Sequence, residues 1–262
     1  MIIGNVEMIS VSDGEAYLDP IKTFAGSTVE QWRNDYPELI NESGQICGRL
    51  GSVIIRSKDK MILVDTGLQA QDGQLFNGMM RNGINREAIQ LVVTTHLHPD
   101  HVGWNLTDGR PTFPFARYLV PRKDWEYWTQ PSVLSKATHI RDQVIPLKEQ
   151  RIMDLIDNEY KITDELTAMP IPGHTPGHIS ILVASEGHKA FILGDVAHTP
   201  EQAHHTDWSP TFDLDKSLSR SRRRRVLQQL EADGILVSAG HFPSPGFGHF
   251  VLSNSRRVWR GV

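Results

Sequence analysis

One short segment of the chain carries several side chains that could bind metal. The apolar, β-branched run 91–94 leads into His96, His98, Asp100 and His101, so four potential ligands fall within six residues. Side chains alternate along an extended chain, so we expect His96 and His98 on one side; a turn after the following proline brings Asp100 and His101 to another. The alternative is a polar loop with ordinary hydrogen bonds, but this spacing favours metal binding at two positions.

Three later residues could complete the coordination, and each follows a strand-like segment. His174 lies in the turn-rich stretch 172–178, Asp195 follows the apolar run 190–193, and His241 follows the run 235–238. Each is weak alone, because a Gly-Asp pair after a strand is often only a turn. Together they predict ligands that converge on one sheet edge, as a dinuclear site requires.

From about residue 51 to residue 249, these motifs and their order resemble the metallo-β-lactamase superfamily. The resemblance implies an α/β fold, a four-layer αββα sandwich of two similar halves, with the metals at one edge of the paired sheets. It also implies a ligand set: His96, His98 and His174 for the first metal, Asp100, His101 and His241 for the second, Asp195 as the bridge, and Asp65 as the support of the ligand loop.

The implied cofactors are two divalent metal ions, with zinc as the first candidate and iron, manganese and cobalt as alternatives. Zinc lowers the pKa of a bound water from about 15.7 to about 7, which supplies hydroxide at neutral pH. Asp100 is a candidate acceptor for the proton released as that hydroxide attacks. With hydroxide supplied by the metals no protein nucleophile is needed, which fits the position of the single cysteine, Cys47, outside the motifs.

Segments 101–105, 194–200 and 240–248 resemble the branch of acyl-homoserine-lactone lactonases and methyl-parathion-hydrolase-like enzymes. The implied function is the opening of a lactone or the cleavage of a carboxylic ester by metal-bound hydroxide. Organophosphate triester hydrolysis is the alternative, and a metal-binding module without turnover is a further one. The lactonases have a tyrosine three residues after the bridging aspartate, where this chain has His198. We predict that His198 either contacts the substrate or braces its loop.

Aromatic residues near the metal loops could line an apolar cleft for acyl chains or aryl leaving groups. The alternative for each of them is packing of the surrounding segments. The candidates are Trp104, Phe113, Phe115, Trp125, Trp128 and Trp208.

The elements that must position these residues alternate between strands and helices in both halves, which predicts stacked α/β layers in a single domain over residues 1–262. Residues 122–150 are expected to form a helical excursion above the core rather than part of it. A long helix is predicted over about 215–232, and its arginine-rich run 220–225 is interpreted as a solvated face. Other predicted strands or hairpins cover 52–56, 61–64, 118–120, 166–169 and 179–183.

Composition narrows the class of protein. The 262 residues carry a net charge of −4, which argues against a basic nucleic-acid binder. No apolar run reaches about 18 residues, which argues against a membrane span, and no secretory signal is visible. We therefore expect a cytoplasmic enzyme with a small apolar substrate. A homodimer is left open, as is the role of residues 17–47, which could cover the active site, join a dimer interface or simply pack.

Overall fold

The computed structural model describes the backbone of residues 1–262 and every side chain except that of Glu38. The strands of the first half are β1 (Ile2–Ile3), β2 (Val6–Leu18), β3 (Phe24–Ala25), β4 (Ile46–Ser57), β5 (Lys60–Val64), β6 (Leu91–Val93), β7 (Leu106–Thr107), β8 (Arg110–Pro111), β9 (Arg117–Pro121) and β10 (Met153–Ile156). The strands of the second half are β11 (Tyr160–Lys161), β12 (Leu166–Pro170), β13 (Ile179–Ser185), β14 (His188–Ile192), β15 (Ser209–Pro210), β16 (Leu236–Ser238), β17 (Phe247–Ser253) and β18 (Arg256–Gly261).

The helices connect or cover these strands. They are α1 (Pro20–Thr23), α2 (Val29–Asp35), α3 (Leu75–Arg81), α4 (Pro99–Val102), α5 (Arg122–Trp128), α6 (Pro131–Leu134), α7 (Thr138–Gln143), α8 (Ile145–Glu149) and α9 (Lys216–Ala232). Short 3-10 helices cover Pro37–Leu39, Arg86–Ala88, Gly194–Val196 and Pro200–Ala203.

Two large sheets form the centre of the molecule. One has the strand order β1-β2-β4-β5-β6-β9-β10, and the other has the order β11-β12-β13-β14-β16-β17-β18. The hairpin of β4 and β5 is antiparallel, as the sequence predicts. β5 and β6 are parallel, with Val64 beside Val93, so the residues after both strands emerge at the same sheet edge. β14 and β16 are also parallel, with Ile192 beside Ser238.

The sheets pack face to face and are covered by helices on their outer faces. Between the sheets, side chains such as Ile55 and Ile181 form one buried apolar cluster. The outer face of the first sheet packs against helices including α3, which contributes Met79. The outer face of the second sheet packs against α9, which contributes Leu227 and Leu230. This arrangement is the four-layer αββα sandwich that the resemblance implies.

Residues 122–150 are helical, as predicted, but the expectation that they lie above the core is wrong. Ala137, Ile140, Val144 and Leu147 are buried in the same cluster as the outward side chains of the first sheet. Ile140 of α7, Leu147 of α8 and Val144, which lies between these two helices, turn their apolar side chains toward the first sheet. The segment is therefore part of the helical layer.

The long helix α9 begins after Asp215, whose carboxylate accepts a hydrogen bond from the Leu218 N–H group. The interpretation of its arginine run as a solvated face is wrong for Arg223, which is fully buried. Ser219, Arg223, Leu227 and Leu230 are the buried residues of this helix. Their spacing of three and four residues puts Arg223 on the inward face.

The N-terminal region packs against the second half of the chain. Phe24, Trp32 and Trp208 share a buried cluster, in which the rings of Trp32 and Trp208 lie 5.0 Å apart. β3 also pairs with β15. In the part of the chain that the structure describes, no helix combines the length and the apolarity needed to cross a membrane.

Candidate metal centre

The first ligand segment directly follows the short strand β6. After β6 the chain runs through His96 to His98, and the single helical turn α4 begins at Pro99. His98 is extended, with φ −75° and ψ 157°, whereas Asp100 and His101 lie within the helical turn. This change of backbone direction separates the first pair of side chains from the second pair, as the sequence predicts.

A first group of ligand atoms surrounds one point. His96 Nε2 lies 3.0 Å from His98 Nδ1, which lies 2.8 Å from His174 Nε2. His174 Nε2 lies 3.1 Å from His96 Nε2. Asp195 Oδ2 lies 3.3 Å from His174 Nε2 and 3.6 Å from His96 Nε2. These four residues therefore offer ligand atoms to a common position.

A second group lies on the other side of Asp195. His241 Nε2 and His101 Nε2 each lie 3.6 Å from Asp100 Oδ2. Asp195 Oδ1 lies 3.4 Å from His101 Nε2 and 3.2 Å from His241 Nε2. One oxygen of Asp195 thus faces each group, which is the geometry expected for a carboxylate that bridges two metal positions.

The outer nitrogens of the ligand imidazoles are fixed by hydrogen-bond acceptors. A carboxylate or a carbonyl can only accept, so the Nδ1 atom that meets it carries the proton, and Nε2 presents its lone pair inward. Three such pairs have an Nδ1-to-oxygen distance of 2.8 Å: His101 with Asp65, His174 with Asp213, and His241 with the carbonyl of Arg49.

The outer nitrogen of His96 is held through a neighbouring hydroxyl. The Thr95 hydroxyl donates to Asp65 Oδ2 at 2.8 Å and lies 3.1 Å from His96 Nδ1, from which it can therefore accept. Asp65 also accepts the Thr95 N–H group at 2.7 Å. Its φ of +60° is an uncommon backbone conformation for a residue other than glycine. Asp65 thus lies where the resemblance expects a support of the ligand loop.

Unpartnered buried atoms test whether the two groups fit metal ions. His101 Nε2 and Asp195 Oδ1 are buried, 3.4 Å apart, and have no hydrogen-bond partner among the described residues. A buried polar atom without a partner costs about 1–3 kcal/mol. A cation between them would satisfy both atoms, and imidazole and carboxylate ligands suit divalent metals. The two groups fit two divalent metal ions.

The protonation of the ligands follows from burial and from the neighbouring carboxylates. Burial lowers the pKa of His96 and of His98 well below the usual value. Burial also acts to lower the pKa of His174, but its hydrogen bonds with Asp195 and Asp213 outweigh this and raise that pKa to about 9. In the metal-free chain this favours a proton on His174, and a bound cation would take the place of that proton.

His198 lies at the centre but outside the seven ligands that the resemblance implies. Its Nε2 atom lies 3.0 Å from Asp195 Oδ2, and its ring stacks on that of His241 at 5.4 Å. Burial lowers the pKa of His198 to about 4, so its imidazole is neutral near pH 7. Its backbone N–H donates to Gln202 Oε1 at 2.7 Å, which fixes the loop that carries it.

Asp213 and Arg223 are functional candidates that the sequence analysis missed. Besides accepting from His174, Asp213 pairs through Oδ2 with the Arg223 guanidinium at 3.2 Å. Arg223 Nε donates at 2.7 Å to the carbonyl of Val196, which directly follows Asp195. The helical spacing of Arg223 with Leu227 was the available signal, because it marks this arginine as inward.

Arg49 is a second missed residue, and it holds the turn that carries His241. In addition to its carbonyl contact with His241 Nδ1, its N–H donates to the His241 carbonyl at 3.3 Å. Its buried guanidinium donates through Nε to the carbonyl of Phe242 at 3.3 Å. Burial lowers the pKa of Arg49 to about 10. No local motif marks this residue in the sequence.

A cavity of about 270 Å³ opens beside both ligand groups. Candidate metal ligands and loop residues line one side of the cavity, and apolar or small residues line the other. The apolar and small lining residues are Ala16, Leu18, Gly48, Leu50 and Phe212; the remainder are His98, Pro99, Asp100, Asp195, His198 and His241. Strands β2 and β4 thus supply one wall, so part of the 17–47 region adjoins the candidate site.

The prediction that a set of aromatic residues lines this cleft is wrong. Phe113 and Trp208 are fully buried in apolar clusters away from the cavity lining. Trp104 packs against Phe76 and donates its indole N–H to Asp13 at 3.0 Å. Their side chains turn toward the helical layer or the N-terminal cluster, a direction that sequence position does not give.

The remaining aromatic candidates also lie outside the cavity lining. Phe115 is 71% exposed, and Trp125 packs against the helical side of the first sheet. Trp128 is the nearest to the site, because its ring lies 5.5 Å from that of His98. It packs against the helical side of the first sheet and contacts His98 without lining the cavity.

Residues 52–241 match the family described as the Metallo-beta-lactamase superfamily, over well more than half of the chain. The chain belongs to this superfamily, and it is a metal-dependent hydrolase.

Three similar proteins illustrate the relationship. The N-acyl homoserine lactonase AiiA of Bacillus thuringiensis subsp. kurstaki is 23% identical over 212 residues, which cover 72% of this chain and 79% of the relative. The crystal structure of hydrolase AbOPH in the beta lactamase superfamily matches with a TM-score of 0.91 and 21% identity, over 100% of this chain and 96% of that one. AidC, a dizinc quorum-quenching lactonase, matches with a TM-score of 0.87 and 20% identity, over the same shares.

Proposed function

We propose that this protein hydrolyses lactones, with N-acyl homoserine lactones as its substrate class. The observation that carries the proposal is the cavity, because it joins an apolar wall to Asp100, Asp195 and His198 of the metal centre. An acyl chain can bury its methylene groups against such a wall, while a lactone ring meets the polar side. The similarity to the lactonases AiiA and AidC supports the same substrate class.

The metal ions of the proposal are two zinc ions. His96, His98 and His174 would hold the first, Asp100, His101 and His241 would hold the second, and Asp195 would contribute one oxygen to each. When bound, such ions polarise the substrate carbonyl and lower the pKa of a coordinated water. The dizinc centre of AidC supports zinc for this chain.

The residues of the chain supply proton transfer and orientation. In the proposed reaction, a water oxygen bonds to the lactone carbonyl carbon, and the Asp100 carboxylate accepts the proton that this water gives up. The bond between the carbonyl carbon and the ring oxygen then breaks, and the same proton passes to that oxygen, which becomes an alcohol. His198, which is neutral, would donate a hydrogen bond to the carbonyl or the ring oxygen from the cavity side.

The test is a comparison of substrate classes on metal-replete protein. We would measure kcat/KM for short- and long-chain N-acyl homoserine lactones, an aryl carboxylic ester and an aryl phosphotriester. The proposal predicts the highest kcat/KM for a lactone, by about tenfold or more. A phosphotriester that exceeds the lactones by that margin would replace it with the organophosphate alternative. Absence of turnover on every substrate by the dimetal protein would favour a binding module.

Esterase activity, a cytoplasmic location and a homodimer stay predictions from the sequence. The ester in the substrate panel tests the first. Size-exclusion chromatography with light scattering tests the last.

A further inference from the structure

A buried carboxylate outside the ligand groups connects the two loops that carry the first group. Asp124 lies in the first turn of α5 and is fully buried. Its Oδ2 atom accepts the N–H group of Leu97 at 2.8 Å and the hydroxyl of Thr175 at 2.9 Å. Its Oδ1 atom accepts the N–H group of Gly177 at 2.5 Å. All of these partners are donors, and the carboxylate joins them at one point.

Two of the three partners of Asp124 are the immediate neighbours of ligand residues, and the third lies in the same loop as His174. Leu97 lies between His96 and His98, and Thr175 directly follows His174. The hydrogen bond from the Leu97 N–H group to Asp124 fixes the backbone that carries the two adjoining imidazoles, and thereby their distance from the first metal position. The bonds to Thr175 and Gly177 set the loop of His174 relative to the same carboxylate. Asp124 therefore relates the positions of all three imidazoles without contacting any of them.

The backbone of Leu97 is also held through its carbonyl group. His139 of α7 donates from Nε2 to the Leu97 carbonyl at 3.0 Å. Both contacts come from the helical segment 122–150, whose apolar face is buried against the first sheet. The backbone of Leu97, between two ligand residues, is thus fixed by Asp124 and His139, which both belong to the helical layer.

The close approach of the His174 loop to Asp124 depends on a glycine. A Cβ atom at Gly177 would lie 2.4 Å from the Asp124 backbone nitrogen and 2.8 Å from its Oδ1 atom. Any larger residue would push the loop away from the carboxylate. The His174 loop therefore both donates hydrogen bonds to Asp124 and fits closely against it.

We propose that Asp124 is a positioning residue for the first metal position, with His139 as its counterpart on the Leu97 carbonyl. The proposal rests on the two metal positions proposed above but not on the identity of the substrate. The second position depends on other supports, because Asp65 holds His101 and Arg49 holds His241. Loss of the Asp124 contacts should therefore weaken one metal position and spare the other.

The test is metal binding by the full-length Asp124→Asn variant. Asparagine keeps the size of the side chain, but its NH₂ group would face N–H or O–H donors in place of an accepting oxygen. Metal-free protein would be titrated with Zn²⁺ in competition with a chromophoric chelator. Loss of a hydrogen bond that orients metal ligands typically costs 10–100-fold in metal affinity. We expect one of the two Zn²⁺ affinities to fall by about that factor and the other to stay within about twofold.

The control is Asp142→Asn, which removes an exposed carboxylate from the same helical segment and should bind Zn²⁺ as the wild type does. A second pair of variants covers poor folding of Asp124→Asn. His139→Leu removes the donor to Leu97 and should weaken the same Zn²⁺ ion. His139→Gln keeps an N–H donor and should restore most of the affinity.

Placement at the first position is tested in the His174→Ala background. There, Asp124→Asn should cause no further loss of the remaining Zn²⁺ ion, because both changes act on the same position. Unchanged Zn²⁺ binding in Asp124→Asn and His139→Leu, or equal weakening of both ions, would overturn the positioning role. A wild-type chain that fails to bind two Zn²⁺ ions would instead refute the metal centre itself.

Discussion

The Oδ1 atom of Asp213 lies 2.8 Å from Nδ1 of His174, so this carboxylate accepts the outer proton of a candidate metal ligand. The other oxygen of Asp213 pairs with the buried guanidinium of Arg223 at 3.2 Å. A helix on the outer face of the second sheet is thereby connected to the first metal position. The orientation of His174 depends on packing that lies far from it in the sequence.

The first prediction concerns this connection. Asp213→Asn should weaken the first metal position by about 10–100-fold, since a carboxylate partner orients the imidazole and raises its basicity. It should also lower the free energy of unfolding by about 3–5 kcal/mol, the typical cost of leaving a buried charge such as Arg223 unpaired. Chelator competition and urea unfolding measure the two effects. The exposed Asp207→Asn is the matched control, and equal behaviour of both variants would rule out the role of Asp213.

The second prediction concerns the support of His241. Arg49→Met removes the side-chain donor to the Phe242 carbonyl. The main-chain hydrogen bonds between residue 49 and His241 can still form, but the guanidinium no longer holds the turn that carries His241 in place. We expect the affinity of the second metal position to fall by about tenfold, whereas the first stays near that of the wild type. Arg56→Met, on the same strand but half-exposed, is the control. Selective loss of the first metal would contradict this account.

The third prediction separates two roles of His198. If it donates to the substrate, His198→Phe should lower kcat on a good lactone by about 100-fold, a typical effect of one lost acid–base or hydrogen-bonding group, at unchanged metal content. His198→Gln, which retains an N–H donor, should keep more of the activity. Metal analysis and steady-state kinetics measure both quantities. An unchanged kcat in the phenylalanine variant would leave His198 as a brace for its loop.

The fourth prediction concerns acyl-chain length. Gly48 lines the cavity, and the nearest atom that a Cβ at this position would meet is the Ala16 carbonyl oxygen at 3.7 Å. A Cβ atom is therefore accommodated at this position, and the side chain of Gly48→Val should narrow the cavity. Because each buried methylene contributes about 0.8 kcal/mol, KM for long-chain lactones should rise by about tenfold, with little change for short chains. Ala184→Val, at an exposed strand position, is the control. Equal changes at all chain lengths would remove the acyl-chain assignment.

The ligand segment could be predicted from the sequence because its geometry is local. The proline after His98 turns the chain, so His96 and His98 point one way and Asp100 and His101 another. The structure brings these side chains together with the three later candidates. The layered fold could also be predicted, since β5 and β6 are short apolar runs. No prediction covered the long strand β2, although polar residues such as Glu7 alternate with its buried ones, which is the pattern of a half-buried strand.

The supports of the centre could not be predicted in the same way. Asp213 is separated from His174 by 39 residues, and only the folded chain relates them. Arg223 stands among exposed arginines, and only the helical period distinguishes it from its neighbours. The aromatic residues failed as pocket predictions because side chains such as that of Phe113 turn inward from segments next to the site.

The most direct test of the central claim is a Zn²⁺ titration of metal-free protein, followed by kcat/KM on an N-acyl homoserine lactone. The account predicts that hydrolysis is absent without metal and reaches its maximum when two Zn²⁺ ions are bound per chain. Lactone hydrolysis that is undiminished in metal-free protein, or saturation of binding below two Zn²⁺ ions per chain, would contradict it.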